Sequence, residues 1–287
     1  RNSHNNHLIT NKLHILSDMA IVKGAIQMTG SIKGVSFYTV RGSDRIIMRT
    51  KGGANKNKIQ TSPSFEGLRK QQKEWSGCAK FGSVTRYAFG GLHRLADYNL
   101  SPVLNGMGKN LMKLDNESEV GKRSLKLTAN KSVLEGFDFN RNFSFNTVLR
   151  VIPKIDLTRN LLDVVVTVPR INTTVDLLNI QKLPFFRLIV ALGTVSDLYY
   201  DSETNDYKAL HPQMHGLSNT VTGAWNNTQT IVQEHQIHCT LGWEHAAELT
   251  NDISVIVSMA VEFGNIGFNG EPEEVKYAGC GKVLACV

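Results

Sequence analysis

The chain is poor in cysteine, has no long apolar run and lacks every short catalytic signature. Its four cysteines, Cys78, Cys239, Cys280 and Cys286, are too few and too scattered among 287 residues for a disulfide scaffold. None forms a CxxC pair. Cys280 and Cys286 are six apart, and on one extended strand they stand too far from each other to bridge. All four read as packing residues. No stretch approaches the roughly 18 apolar residues of a membrane span. The longest patches, LLDVVVTV (161–168) and PFFRLIVAL (184–192), have strand length. There is no GxSxG elbow, and Ser218 in GLSN lacks the second glycine. Paired carboxylates and a βαβ rhythm are missing too, which argues against a glycosidase pattern and a doubly wound sheet.

What is present is ordinary globular composition, 41% hydrophobic and 20% charged, in a chain long enough for one large domain or two modest ones. The net charge of +7 is unevenly placed. Thirteen Lys and Arg lie between Lys23 and Arg86, against Asp44, Glu66 and Glu74. Such asymmetry points to a polyanion such as nucleic acid, or to a neutral-to-acidic protein surface, a second copy included. The chain opens on Arg1. MAIVKG (19–24) reads as a natural start, with RNSHNNHLITNKLHILSD as an extension that pins a short strand around Leu13 and Ile15. No secretory signal is visible in it, and an extracellular or cell-surface assembly fits as well as an intracellular one.

Residues 24–50 read as strands. Ile26, Met28 and Ile32 bracket a Gly30-Ser31 kink, and Val35, Phe37 and Thr39 alternate with Ser36, Tyr38 and Val40. Gly42-Ser43-Asp44 signals a turn, after which Arg45-Ile46-Ile47-Met48-Arg49 returns antiparallel. Large apolar groups on both faces of the second strand call for cover on both sides. KGGANKNK (51–58) reads as a flexible basic loop. Ser62-Pro63 then starts a helix with the stripe Phe65, Leu68, Gln72, Trp75 and Ala79. A second stripe is Val84, Tyr87, Ala88, Leu92 and Leu95, and Ser101-Pro102 starts a third with Val103, Leu104, Met107, Leu111 and Leu114. From about residue 120 the period changes to two. SLKLTA (124–129), FSFNTVLRVI (143–152), Leu162 to Val168, Phe186 to Leu192 and Ile253 to Phe263 all alternate, with polar turns between. Short strands with such turns predict an antiparallel sandwich of immunoglobulin-like size.

Three constellations invite chemistry. QEHQIHCTLGWEH (233–245) holds His235, His238, Cys239 and His245, all zinc-ligand types. On a strand, however, His235 and His238 point apart, while Cys239 and Trp243 turn inward. His211 and His215 flank a loop. GMGKN (106–110) and GCGKV (279–283) have phosphate-loop composition without GxxxxGK[ST] or a strand-to-helix setting. Arg41, Arg45, Arg49, Lys51, Lys56 and Lys58 cluster round the hairpin beside Phe37 and Tyr38, as on single-strand nucleic-acid platforms, but no RNP-type motif accompanies them. None of these supplies a catalytic group, a metal site or a cofactor.

In order, KGAIQMTGSIKGVSFYTVRG, IIMRTKGG, SPSFEGLRKQQKEW and VLEGFDFN resemble an uncharacterised family of Bacteroidota proteins. Its members open with KGxIxxxGxIxxxxFY, continue with an Arg-x-Lys-Gly-Gly loop and a Pro-x-Phe helix start, and end in a β-rich half. The resemblance runs from Met19 onward, leaves 1–18 without a counterpart, and implies an architecture without supplying catalytic residues.

The expectation is an α+β, mainly β protein: an extension (1–18), a basic β-arm (19–60), a helical segment (61–118) and an antiparallel β-sandwich (119–287). Its expected role is structural and non-enzymatic: a subunit of a filament, tube or particle that self-associates by strand addition through Ile26, Met28, Ile32, Val35, Phe37, Tyr38, Val40, Ile46 and Met48. Polyanion binding by the basic hairpin is the alternative. An enzyme or carbohydrate-binding module using sandwich loops near Trp225, Asp206 and the histidines comes third.

Overall fold

Alternating apolar residues build several of the longer strands, and the chain is mainly β, with antiparallel sheets and a few helices. The structure, a computed structural model, describes residues 19–22 (backbone), 29–39, 45–50 and 52–287. It divides into two units, Arg1–Phe65 and Glu66–Val287.

The smaller unit holds β1 (Met19–Val22), β2 (Gly30–Ile32), β3 (Val35–Thr39), β4 (Ile46–Thr50) and the helix α1 (Lys56–Thr61). The strands form one antiparallel sheet in the order β1-β4-β3-β2. The expected return of 45–49 on 35–39 is there, Phe37 opposite Met48 and Thr39 opposite Ile46. The turn before β3 falls at Lys33-Gly34, both at positive φ (42° and 88°), and not at the Gly30-Ser31 position expected to kink. Two left-handed residues are what a tight two-residue hairpin requires. KGGANKNK is not wholly a loop. Asn55 accepts the Lys58 amide at 2.8 Å and starts α1, so Lys56 and Lys58 are helical. Ser62 ends α1 instead of starting the next helix, and Pro63 opens a short 3-10 turn.

The larger unit begins with α2 (Glu66–Ala88), α3 (Leu100–Leu114) and a helical turn α4 (Phe145–Val148). Ten strands follow: β5 (Lys154–Thr158), β6 (Asp163–Val168), β7 (Ile171–Asn172), β8 (Phe185–Ser196), β9 (Leu198–Asp201), β10 (Asp206–Ala209), β11 (Ser218–Thr222), β12 (Asn226–Asn227), β13 (Ile231–Val232) and β14 (His235–Thr240). A helical turn α5 (Trp243–Ala246) precedes the long strands β15 (Ile253–Ile266) and β16 (Pro272–Cys286). The main sheet runs β11-β8-β15-β16, with β12 also on β8, and a smaller sheet runs β14-β6-β5.

These sheets face each other across one core, where Leu188, Val190 and Leu192 of β8 and Val255, Val257 and Met259 of β15 meet Val164, Val166 and Val168 of β6. The opposite face of the main sheet is also dry. Ile189, Ala191 and Val195 of β8, with Ile256 and Ala260 of β15, pack with Phe81, Ala88 and Leu104 of the helices. Three layers result, and the middle one is buried on both sides. The close approach of helix to sheet rests on glycine: a Cβ at Gly193 would lie 2.1 Å from the Ala88 carbonyl oxygen.

Several expected elements differ. FSFNTVLRVI is not a strand: Phe145, Val148 and Leu149 are buried at helical spacing round α4. SLKLTA contributes only the isolated bridge Leu125–Leu198. The stripe Phe65, Leu68, Gln72, Trp75 does not face the core, since α2 buries Glu74, Gly77, Cys78, Phe81, Gly82, Thr85 and Ala88 while Trp75 is 50% exposed. Asn99, not Ser101, caps α3, accepting the Ser101 amide. GMGKN lies within α3, and GCGKV lies inside β16, where Gly281 leaves room for the Phe139 ring. All four cysteines are free and buried. Among the described residues no helix is long and apolar enough to cross a membrane.

Candidate functional site: the N-terminal sheet

The pairing register of the smaller sheet assigns each side chain to a face, because directly opposed residues point the same way. Ile32 and Val35, Phe37 and Met48, and Ile46 opposite Thr39 share one face. That face is apolar. Tyr38 opposite Ile47 and Ser36 opposite Ser31 and Arg49 share the other, which is mixed and tied by a 3.0 Å contact between the Ser31 and Ser36 hydroxyls. The second strand therefore carries large groups on both faces, as its sequence suggests.

Burial does not match this apolar character. Of the side chains described in this unit only Ile46 is buried, Val35, Phe37 and Met48 are half-buried, and Ile32 and Tyr38 are exposed. Strands β1 and β2 form the two edges. Arg45, Arg49, Lys56 and Lys58 are all exposed. Ile26, Met28, Val40, Arg41 and Lys51 lie outside the described residues, as does the Gly42-Ser43-Asp44 turn. Residues 1–65 carry ten Lys and Arg against Asp18 and Asp44, whereas 66–287 carry twenty-two against twenty-three Asp and Glu. The whole charge excess thus belongs to the smaller unit.

The histidine-rich run resolves into strand and turn. β14 buries Ile237 and Cys239, His238 faces Asp163 of β6, and the ring of His235 turns back to the Gln233 carbonyl. Trp243, expected inside, is 83% exposed, because β14 stops at Thr240 and Gly242 (φ 96°) redirects the chain into α5. His211 meets Thr250 and Asp252, while His215 is half-buried with its Nδ1 unpartnered. Among the described residues there is no group of three or more His, Cys, Asp or Glu able to hold a metal ion. Trp225 stacks on the Arg187 guanidinium at 4.3 Å, and Asp206 pairs with Lys80.

Two buried carboxylates escape sequence reasoning. Glu74 on α2 accepts from Arg123, the Gly121 amide and Lys109, the lysine of GMGKN. Burial would raise its pKa, but the hydrogen bonds from Arg123, Gly121 and Lys109 outweigh it and hold the carboxyl down at about 2. Glu262 on β15 binds Arg94 and Arg187, and Glu274 joins them from β16. A Glu at the core position of a helix looks solvated to a hydropathy pattern. Only its spacing against Gly77, Cys78 and Phe81 betrays the inward face.

No protein-family model, no curated protein and no solved structure matches the chain. The site is therefore read from its own geometry.

Proposed function

We propose that this protein is a non-enzymatic assembly subunit. Its N-terminal sheet adds to a second copy by strand addition, joining a well-packed β-sandwich body of immunoglobulin-like size to its neighbour. The observation that carries this reading is a four-stranded sheet with an apolar face, in which β1 and β2 stand at the edges among the described residues and only Ile46 is buried among its described side chains. An exposed apolar strand edge is a template for further pairing unless something covers it. Charge favours a copy of the same chain as the occupant: the arm is strongly basic and the body carries a slight acidic excess. Head-to-tail addition of this kind closes into a ring or runs on as a filament.

The test is the Ile32→Lys substitution on edge strand β2. At 57% exposure this side chain supports little of the fold. Light scattering should show the wild-type chain associating and the variant shifted to monomer. Equal masses for the two would remove the reading.

The exposure of Arg45, Arg49, Lys56 and Lys58 favours one second reading, polyanion binding by the same sheet. It requires binding to single-stranded nucleic acid that weakens steeply with salt and with Arg45→Ala or Lys51→Ala. No binding at low salt would remove it.

A further inference from the structure

The register of β15 and β16 shifts at two places, between Val257 and Ser258 and, more widely, between Glu262 and Gly264. Glu262 lies opposite Gly279 and Gly264 opposite Glu274, so the four residues 275–278 face Phe263 alone. Inside this bulge Tyr277 has φ 62°, a left-handed conformation that is rare for an aromatic residue. Its ring is 63% exposed. A bulge turns a strand residue out of the pleat and re-aims its side chain, and strained residues cluster where a ligand is held.

Tyr277 lines two adjoining cavities of about 570 and about 200 Å³, which also share Asp97. The two differ in chemistry. The larger is lined by Arg86, His93, Arg94 and Tyr98. Arg94 is committed to Glu262 and Glu274. The Asp97 carboxylate accepts the Arg141 and Asn142 amides at 2.8–3.1 Å. Arg86 donates only to the Ser101 hydroxyl, at 2.6 Å, with no carboxylate in ion-pair reach among the described residues. His93 also lines this cavity, but its Nδ1 is closed off from solvent, and burial and the nearby Arg86 and Arg94 charges push its pKa down. The smaller cavity is walled by Phe143, Leu178, Ile180 and Phe263, and Phe143 and Ile180 are 44% and 47% exposed.

We propose that this double cleft binds a small carboxylate with an apolar tail, its head at Arg86 and its tail between Phe143 and Ile180, with the Tyr277 ring at the junction. Arg86, with no carboxylate in ion-pair reach among the described residues, supplies the charge and the N–H donors an anion needs. The exposed apolar walls reward burial of a short alkyl or aryl chain. The cavity sizes lie within or just below those of small-ligand sites. This inference is independent of the assembly reading.

The test is calorimetric titration of the full chain with octanoate, and with octanol and acetate as probes lacking the charge and the tail. Octanoate should bind, and each partial probe should bind at least tenfold more weakly. Arg86→Gln, and separately Ile180→Asp on the exposed wall, should each weaken octanoate at least tenfold. Tyr277→Gly, which relieves the backbone, should also weaken it tenfold without lowering the melting temperature. Octanol binding as tightly as octanoate would overturn the proposal. So would no octanoate binding, or unchanged affinity in folded Arg86→Gln or Ile180→Asp protein.

Discussion

Replacing Glu74 by Gln should destabilise the larger unit by ~3 kcal/mol at neutral pH. The carboxylate is fully buried and receives both Arg123 nitrogens at 2.7 and 2.9 Å, the Gly121 amide at 2.8 Å and the Lys109 ammonium. The amide of Gln keeps one acceptor and turns two N–H donors toward donors. It also leaves two largely buried cations without their counter-charge. Breaking one partner out of such a cluster costs about 3–5 kcal/mol, and the residual exposure of Lys109 (24%) and Arg123 (17%) places this case at the low end. The pKa gives the same scale. A carboxyl held at about 2 instead of 4.5 contributes roughly 3 kcal/mol when fully ionised. Because the folded pKa is depressed, that contribution is complete above pH 4.5 and is lost as pH falls toward 2. It should shrink to ~1.4 kcal/mol at pH 3. Urea unfolding of wild type and Glu74→Gln at pH 7 and pH 3, followed by circular dichroism, measures both numbers, with equal m-values showing that the same surface unfolds. A loss under ~1 kcal/mol at pH 7 would refute the reasoning, as would a loss that does not shrink at pH 3.

Other outcomes follow from the same geometry. Tyr277→Gly should be more stable than Tyr277→Ala by ~1 kcal/mol in thermal unfolding, because only glycine takes φ 62° without strain. Gly193→Ala should destabilise by at least ~2 kcal/mol, since the new methyl meets the Ala88 carbonyl, and unchanged urea unfolding would contradict the close helix–sheet contact. Burial pushes the thiols of Cys78 and Cys239 up to about 11 and that of Cys286 to about 12, so a thiol reagent at pH 8 should label none of the four cysteines until denaturant is added. Native mass spectrometry reads that count directly.

The long alternating runs were legible in the sequence because a strand buried by a second sheet repeats every two residues. Val164, Val166 and Val168 point inward as expected, and so do Leu188, Val190 and Leu192. The outer face of β8 was less legible. Ala191 and Gly193 are small, and only the helices packed on them show why. The same holds for α2, whose buried face is mostly small, Gly77, Cys78, Gly82, Thr85 and Ala88, with Phe81 and one ion-paired glutamate, while its apolar Leu68 and Trp75 stay exposed. Size, not hydropathy, sets that contact. In the hairpin the antiparallel return and its apolar character were readable, but the Lys33-Gly34 turn was masked by the neighbouring Gly30-Ser31. The Tyr277 cleft was invisible, since its residues come from α2, three loops, β15 and β16, and the bulge that joins them leaves no periodic trace.

The central claim is that residues 1–65 join one copy to the next. The most direct measurement is light scattering coupled to size exclusion, over a concentration series, on the full chain and on the chain begun at Glu66. The account predicts masses that are multiples of 31.8 kDa for the full chain, rising with concentration, and a folded monomer without the arm. A full chain that stays at 31.8 kDa throughout, or a shortened chain that associates equally well, would contradict it.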